Sequence, residues 1–297
     1  MPKLVVFAPF AARHRQLIEQ SAAGLETVFL SAGLSAETQK AALSDAEIVI
    51  GEPEWEAVAA SDTLRLLQMT WAGTDKYTRT CKTFPDGIAL CNVSGAFGPM
   101  MAEYAVRQLR AFYPNSFNGQ TALILGAGDV GTRTAEQLHE QGATCIGVRR
   151  NTTEKAPCFD CLCTLHEAED WLRRVDFIIC CLPNTPETVG WLNAYRIGLM
   201  RPDAVLLNMG RGNFIDTNAL TEALQTGRLR GAVLDVTEPE PLPEDHPLRQ
   251  LSNVRLTPHI AGASFGVSDD TEDRIAAICC ENVRRYLQKK PLRNRVL

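Results

Sequence analysis

The sequence predicts an α/β protein of two units, each a parallel sheet with helices on both faces. Three observations lead there. Short apolar runs alternate with amphipathic segments along the whole chain, they fall into two series that join near residue 97, and 297 residues suffice for about two domains with their own cores.

The first series reads as strands over 3–8, 26–30, 46–50 and 64–69, separated by helices over 12–23, 36–43 and 54–60. After Trp71-Ala72-Gly73-Thr74-Asp75 the chain becomes loop-like, with a short strand over 88–92. Pro99 suits the first position of a helix over 100–112, on which Met101, Ala105 and Leu109 share a face. Pro114, Asn115, Asn118 and Gly119 then break the chain. The second series has strands over 121–125 and 144–148 and buried strands over 176–182, 204–208, 232–236 and 254–257. Helices are expected over 130–140, stopped by Gly142, and over 217–225, with Gly227 as a left-handed cap. A long helix over 269–288 closes the chain and is expected to return to the first unit. The division expected is 1–97 with 276–297, and 98–275.

Composition narrows the function classes. At 45% hydrophobic and 22% charged residues, the chain is ordinary globular protein, not a disordered or low-complexity one. Thirty Lys and Arg against 35 Asp and Glu give a net charge of −5, so no basic excess favours nucleic acid or an anionic membrane. The longest apolar run, 175–183, is interrupted by Asp176 and falls short of the ~18 residues of a membrane span. The opening residues read as a strand rather than a signal peptide. Of ten cysteines, Cys180, Cys181, Cys279 and Cys280 lie inside apolar elements, where thiols behave as small hydrophobes. A soluble, cytoplasmic protein is expected. Cys158, Cys161 and Cys163 have the spacing of half a zinc site. Although His166 is close, no second pair or histidine at finger spacing completes four ligands, so they read as core or solvent-edge cysteines and no metal is expected.

Two groups of residues carry chemistry. The first is Leu125-Gly126-Ala127-Gly128-Asp129-Val130-Gly131, a G-x-G-x-x-G between strand and helix. Gly126 permits the tight turn, Gly128 the approach of backbone to a pyrophosphate, and Gly131 close packing of helix on strand; the helix N-terminus then offers N–H groups to phosphate. This is the Rossmann dinucleotide pattern; a ligand-free glycine turn is the bland alternative. The second strand of this unit ends at Arg149, followed by Arg150, Asn151 and Thr152. An NAD-binding unit ordinarily has an acid in that slot for the ribose hydroxyls. Guanidinium groups and a threonine hydroxyl instead suit the 2′-phosphate of NADP, so NADP(H) is favoured with NAD(H) possible; a pair of solvated arginines is the alternative.

The second group lies on three loops, each following a buried strand: Asn208-Met209-Gly210-Arg211-Gly212, Asp235-Val236-Thr237-Glu238-Pro239-Glu240-Pro241, and Thr257-Pro258-His259-Ile260-Ala261-Gly262. Open α/β sheets place their chemistry at such strand ends. His14 and His139 read as surface residues on helices, and His166 and His246 lie in polar connections. Arg211 supplies a planar cationic fork and His259 a general acid of the type whose charge changes near neutral pH, with the acids Glu238 and Glu240 on the proline-framed loop.

With these motifs, with Gly73 and Asp75 in the first unit, and with Cys181-Leu182-Pro183-Asn184-Thr185-Pro186-Glu187-Thr188, nearly the whole chain resembles the D-isomer-specific 2-hydroxyacid dehydrogenases. The arginine after the second strand resembles their NADP-using glyoxylate/hydroxypyruvate reductase branch. The resemblance implies a flavodoxin-like substrate domain, a Rossmann domain and an active site in the cleft between them. It implies reduction of a 2-keto acid, which needs a cation for the carboxylate, a proton for the developing alkoxide and a hydride donor. It implies Arg211, Glu240 and His259 as catalytic, with Glu240 orienting the His259 ring and favouring its protonated form, and Ala72 and Gly73 as backbone donors to a substrate also held by Arg211 and His259. Cofactor contacts would come from Gly126, Gly128, Asp129, Val130, Gly131, Arg149, Arg150, Thr152, Leu182, Pro183, Thr188, Met209, Gly210, Asp235 and Gly262, with Asp235 at the nicotinamide ribose or carboxamide. The segment from Glu103 to Gly126 is shorter than the family's, which often carries a projecting dimer helix there; a homodimer weakened at this point is expected. Trp71, Phe97 and Met100 are candidate pocket walls. A dinucleotide-sensing, corepressor-like protein is the competing reading, and formate oxidation is disfavoured by Glu240 opposite His259.

Overall fold

The structure, a computed structural model, describes residues 2–31, 33–79 and 83–297. The chain forms strands β1 (Lys3–Val6), β2 (Glu26–Phe29), β3 (Ala46–Ile50), β4 (Leu66–Gln68) and β5 (Ala89–Cys91), with helices α1 (Ala12–Ser21), α2 (Ala36–Leu43), α3 (Trp55–Ala59) and α4 (Asp75–Thr78) between them. Next come α5 (Gly98–Leu109), β6 (Thr121–Leu125), α6 (Asp129–His139), β7 (Thr144–Val148), β8 (Cys161–Cys163) and β9 (Phe177–Cys180). They are followed by α7 (Ala194–Leu199), β10 (Val205–Asn208), α8 (Thr217–Gln225), β11 (Gly231–Leu234), β12 (Val254–Leu256) and α9 (Asp269–Leu287).

Two compact units result: Met1–Ala96 with Ser264–Leu297, and Phe97–Ala263. Position 276 falls inside α9, all of which clusters with the first unit. The first sheet has the order β2-β1-β3-β4-β5, the second β12-β11-β10-β9-β6-β7-β8, and every pairing is parallel. Central strands such as Phe177–Cys180 and Val205–Asn208 are buried at every position. Helices on both faces leave no solvated side, so their sequences are apolar throughout.

Caps set the helix ends. Asp216 accepts from Ala219 N–H at the start of α8, and Ser268 from Thr271 N–H at the start of α9. Helix α9 also has Asp269, Asp270 and Glu272 in its first turn and Arg284 and Arg285 in its last, matching the helix dipole at both ends.

Three short elements, α4, β8 and α7, escape the sequence pattern because none exceeds six residues, too few to show a period. The cysteines around β8 are divided by the sheet: Cys158 packs in the core on one face, Cys163 in the core on the other with Cys161 beside it, and they do not form a common ligand set. His14 corrects the surface reading. It is 1% exposed on α1, with Nε2 2.7 Å from Asp273 Oδ1 and Nδ1 3.6 Å from Glu272 Oε2, both on α9. The short connection after α5 is pinned to the second core: Phe117 is fully buried edge-on to Phe177, and Arg110 lies over its ring. No helix among the described residues is long and apolar enough to cross a membrane.

Candidate active site

The candidate residues of the second unit lie along one edge of its sheet, after the carboxyl ends of β12, β11, β10, β9, β6 and β7, neighbours in that order. Across the edge run His259, Asp235 with Glu240, Arg211, Leu182 with Pro183, the glycine loop and Arg149.

At the glycine loop the chain turns at Gly126, whose φ of 107° is open to glycine alone at low cost. The N–H groups of Gly126 and Ala127 are tied to the Val148 carbonyl at 3.0 and 2.8 Å. A Cβ on Gly131 would overlap the Gly126 carbonyl oxygen, so this glycine is what lets α6 seat on the loop. A Cβ on Gly128 would meet nothing within 4 Å, leaving open space beside the backbone at the N-terminus of α6. Those features fit a dinucleotide pyrophosphate: free approach at Gly128 and first-turn N–H groups, Asp129 and Val130 among them, that keep no partner among the described residues. The Asp129 carboxylate itself is turned against Gly98, at the start of α5.

Arg149, Arg150 and Thr152 are exposed. The Arg149 N–H donates to the Cys163 carbonyl at 3.0 Å, fixing the backbone, while its Nη1 donates to the Glu154 carbonyl at 3.3 Å. After β9, Thr188 is buried; its hydroxyl donates to the Pro183 carbonyl (2.7 Å) and accepts from Thr185 N–H (2.8 Å), shaping the Leu182–Pro183 turn.

The Arg211 loop is organised by Asn208, fully buried, whose Oδ1 accepts from Gly210 N–H at 3.1 Å and whose Nδ2 donates to the Arg211 carbonyl at 2.9 Å. Met209 is buried beside it, and Gly210 passes so close to the Leu182 backbone that a Cβ would stand 2.7 Å from its carbonyl. A Cβ on Gly212 would overlap the Thr237 carbonyl; the Arg211 loop thus packs backbone to backbone on the loop carrying Glu240.

Asp235 is 2% exposed and holds the His259 loop. It accepts from Thr257 Oγ1 at 2.6 Å, Ile260 N–H at 2.8 Å and Ala261 N–H at 2.9 Å, and its own carbonyl accepts from His259 N–H at 2.9 Å. Tyr104 on α5 joins this network through Thr257 Oγ1 at 2.5 Å. Burial pushes the Tyr104 phenol up to about 12, so it stays neutral and can donate. His259 takes a left-handed backbone (φ 55°), costing a non-glycine residue roughly 1–3 kcal/mol and held here by the Asp235 bonds. The ring that results has Nδ1 2.7 Å from Glu240 Oε1. Gly262 ends the loop against Phe97 and Met101.

In the first unit Ala72 and Gly73 follow β4. The Ala72 carbonyl accepts from Asn92 Nδ2 at 2.7 Å, and no hydrogen bond among the described residues uses either N–H. Trp71 beside them is half exposed, whereas Phe97 is buried and belongs to core. Sequence alone does not mark Asn208, Thr257 or Tyr104 as individual sites. Tyr104 and Thr257 are 153 positions apart, and nothing local in the sequence signals that pairing.

Residues 92–261 match the family described as D-isomer specific 2-hydroxyacid dehydrogenase, NAD binding domain. That is more than half the chain. The protein belongs to the D-isomer-specific 2-hydroxyacid dehydrogenase family. A structure of a family protein from Aeromonas salmonicida superposes with TM-score 0.86 at 30% identity, covering 100% of this chain and 99% of that one. An NADPH-dependent glyoxylate/hydroxypyruvate reductase from Sinorhizobium meliloti, solved with NADP and malonate, gives 0.78 at 25% identity, over 99% and 96%. Glyoxylate/hydroxypyruvate reductase A of Escherichia fergusonii is 30% identical over 69% of this chain and 73% of its own. The chain spans about half the length of several other curated relatives it matches. The match to the NAD binding domain falls almost wholly within the unit Phe97–Ala263, which carries the glycine loop.

Proposed function

We propose that this protein is an NADPH-dependent reductase of a small 2-keto acid of the glyoxylate or hydroxypyruvate type, giving the D-2-hydroxy acid. Phe97–Ala263 would serve as the cofactor domain and the other unit as the substrate domain. The observation that carries the reading is the 2.7 Å contact of His259 with Glu240, on a sheet edge shared with Arg211 and the glycine loop.

A bound nicotinamide would supply the hydride that goes to the carbonyl carbon. Arg211 would pair with the substrate carboxylate and polarise the carbonyl oxygen, and the N–H groups of Ala72 and Gly73 would bond the carboxylate as well. His259 would give its Nε2 proton to the oxygen as negative charge develops there, while Glu240 on Nδ1 keeps the ring oriented and compensates its positive charge. Asp235 would act on the His259 loop first and on the nicotinamide end second, since three of its acceptor positions are already used. Arg149, Arg150 and Thr152 would face the 2′-phosphate; their exposure and the absence of an acid in that slot support NADP(H) over NAD(H).

The test is consumption of NADPH and of NADH with a panel of 2-keto acids. Turnover of glyoxylate or hydroxypyruvate, faster with NADPH, is expected. Tight NADPH binding without turnover of any acid would overturn the reading and favour a dinucleotide sensor.

A further inference from the structure

We propose that Glu52 is a positioning residue for substrate binding: its carboxylate holds the Thr70–Trp71 backbone so that the next two N–H groups, of Ala72 and Gly73, face outward as donors to a carboxylate. The inference rests on the reading of Ala72 and Gly73 given above and goes beyond it by naming what fixes them.

Four observations carry it. Glu52 follows Gly51 at the end of β3, where a φ of 121° and the close approach of Phe7 Cβ (2.9 Å from a Cβ placed on Gly51) leave room only for glycine. From there Glu52 Oε1 accepts from Thr70 N–H at 2.6 Å and from Trp71 N–H at 3.2 Å. The hydroxyl of Thr70, a residue 1% exposed, reaches both carboxylate oxygens, at 3.2 and 3.0 Å. From the other side, Asn92 Nδ2 holds the Ala72 carbonyl and Val93 N–H donates to the Trp71 carbonyl at 3.2 Å. Two successive N–H groups are therefore spent on Glu52, the intervening carbonyls are fastened to the segment after β5, and the next two N–H groups keep no protein partner among the described residues.

A carboxylate at this spot costs desolvation. Burial raises the Glu52 carboxyl above its ordinary range, against the hydrogen bonds from Thr70 and Trp71 and the nearby Lys76. Lys76 Nζ bonds the Glu52 carbonyl (2.8 Å) and the Glu54 carboxylate (3.2 Å) rather than the Glu52 side chain. What Glu52 contributes is thus acceptance of N–H bonds, and a neutral acceptor of the same shape should serve.

That gives a readout distinct from general stability. The variants are Glu52→Gln, Glu52→Asp and Glu52→Ala, compared in KM and kcat for glyoxylate at saturating NADPH, in KM for NADPH and in melting temperature. Glu52→Gln is expected to stay within about threefold of the parent, whereas Glu52→Ala and Glu52→Asp raise the glyoxylate KM about tenfold or more with kcat and the NADPH KM little changed, the pattern of lost substrate binding. Glu52→Asp keeps the charge and withdraws the acceptor, so it decides the matter if the alanine variant does not fold. Unchanged KM in the folded variants, or Glu52→Gln as damaging as Glu52→Ala, would overturn the proposal. If the parent does not reduce glyoxylate, oxalate titrated into its NADPH complex reads the same donors. Affinity lost about tenfold in Glu52→Asp and kept in Glu52→Gln supports the role even though the reductase reading has failed. Equal affinities, or no oxalate binding by the parent, overturn it.

Discussion

His259 Nδ1 lies 2.7 Å from Glu240 Oε1, across two loops that leave the neighbouring strands β12 and β11. The pair is exposed, 54% for the histidine side chain and 41% for the glutamate, so its worth to folding is small, about 0–1 kcal/mol. Its proposed role is in catalysis. Replacing His259 by Ala is expected to lower kcat for the keto acid by roughly 10²–10⁴, with melting temperature and NADPH affinity near the parent's. Glu240→Gln should give a smaller loss in the same parameter. Near-full turnover by the alanine variant would remove His259 as the acid.

Arg149→Asp places repulsion where the 2′-phosphate is proposed to sit. NADPH affinity should fall at least about tenfold, ~1.4 kcal/mol, while NADH is affected little. Fluorescence titration of both cofactors checks this, and equal loss for both would mean that Arg149 does not reach the phosphate.

Gly131 and Gly128 belong to one motif and should fail differently. Alanine at 131 overlaps the Gly126 carbonyl and should destabilise the protein by about 1–3 kcal/mol or more. Alanine at 128 meets nothing within 4 Å and should leave stability within about 0.5 kcal/mol. Because it fills the proposed approach to the pyrophosphate, it should still weaken NADPH binding. Denaturant melts beside cofactor titrations separate the two effects.

Glu281 on α9 bonds Arg293 Nη1 at 3.0 Å and Arg285 Nε at 2.8 Å, tying the C-terminal segment to the helix. Arg293 foremost, with Arg285, holds its carboxyl below the usual range. A lowered folded-state value stabilises above the unfolded one and is lost as pH falls through the folded one. Glu281→Gln should therefore be less stable at neutral pH by about 0.5–1 kcal/mol, and the gap should close below roughly pH 4.5. A gap of constant size across that range would contradict the assignment.

The sequence by itself determined the alternation of strands and helices, the glycine turn and the strand ends bearing Arg211, Glu240 and His259. Each rests on local chemistry: continuous apolar runs for doubly covered strands, glycine where only a positive φ or a close approach will do, proline and small residues at turns. Tertiary structure alone decided what these residues touch. Asp235 is a carboxylate in a motif until the sheet brings Thr257, Ile260 and Ala261 to it from more than twenty positions away. Tyr104 and Phe117 become a network member and a core residue only through Thr257 and Phe177. His14, on a helix too polar to betray its inner face, is buried because α9 returns with Glu272 and Asp273 to receive it. Hydrogen bonds and ion pairs act over a few ångströms in space, and a linear pattern records only the neighbours that share a stretch of chain.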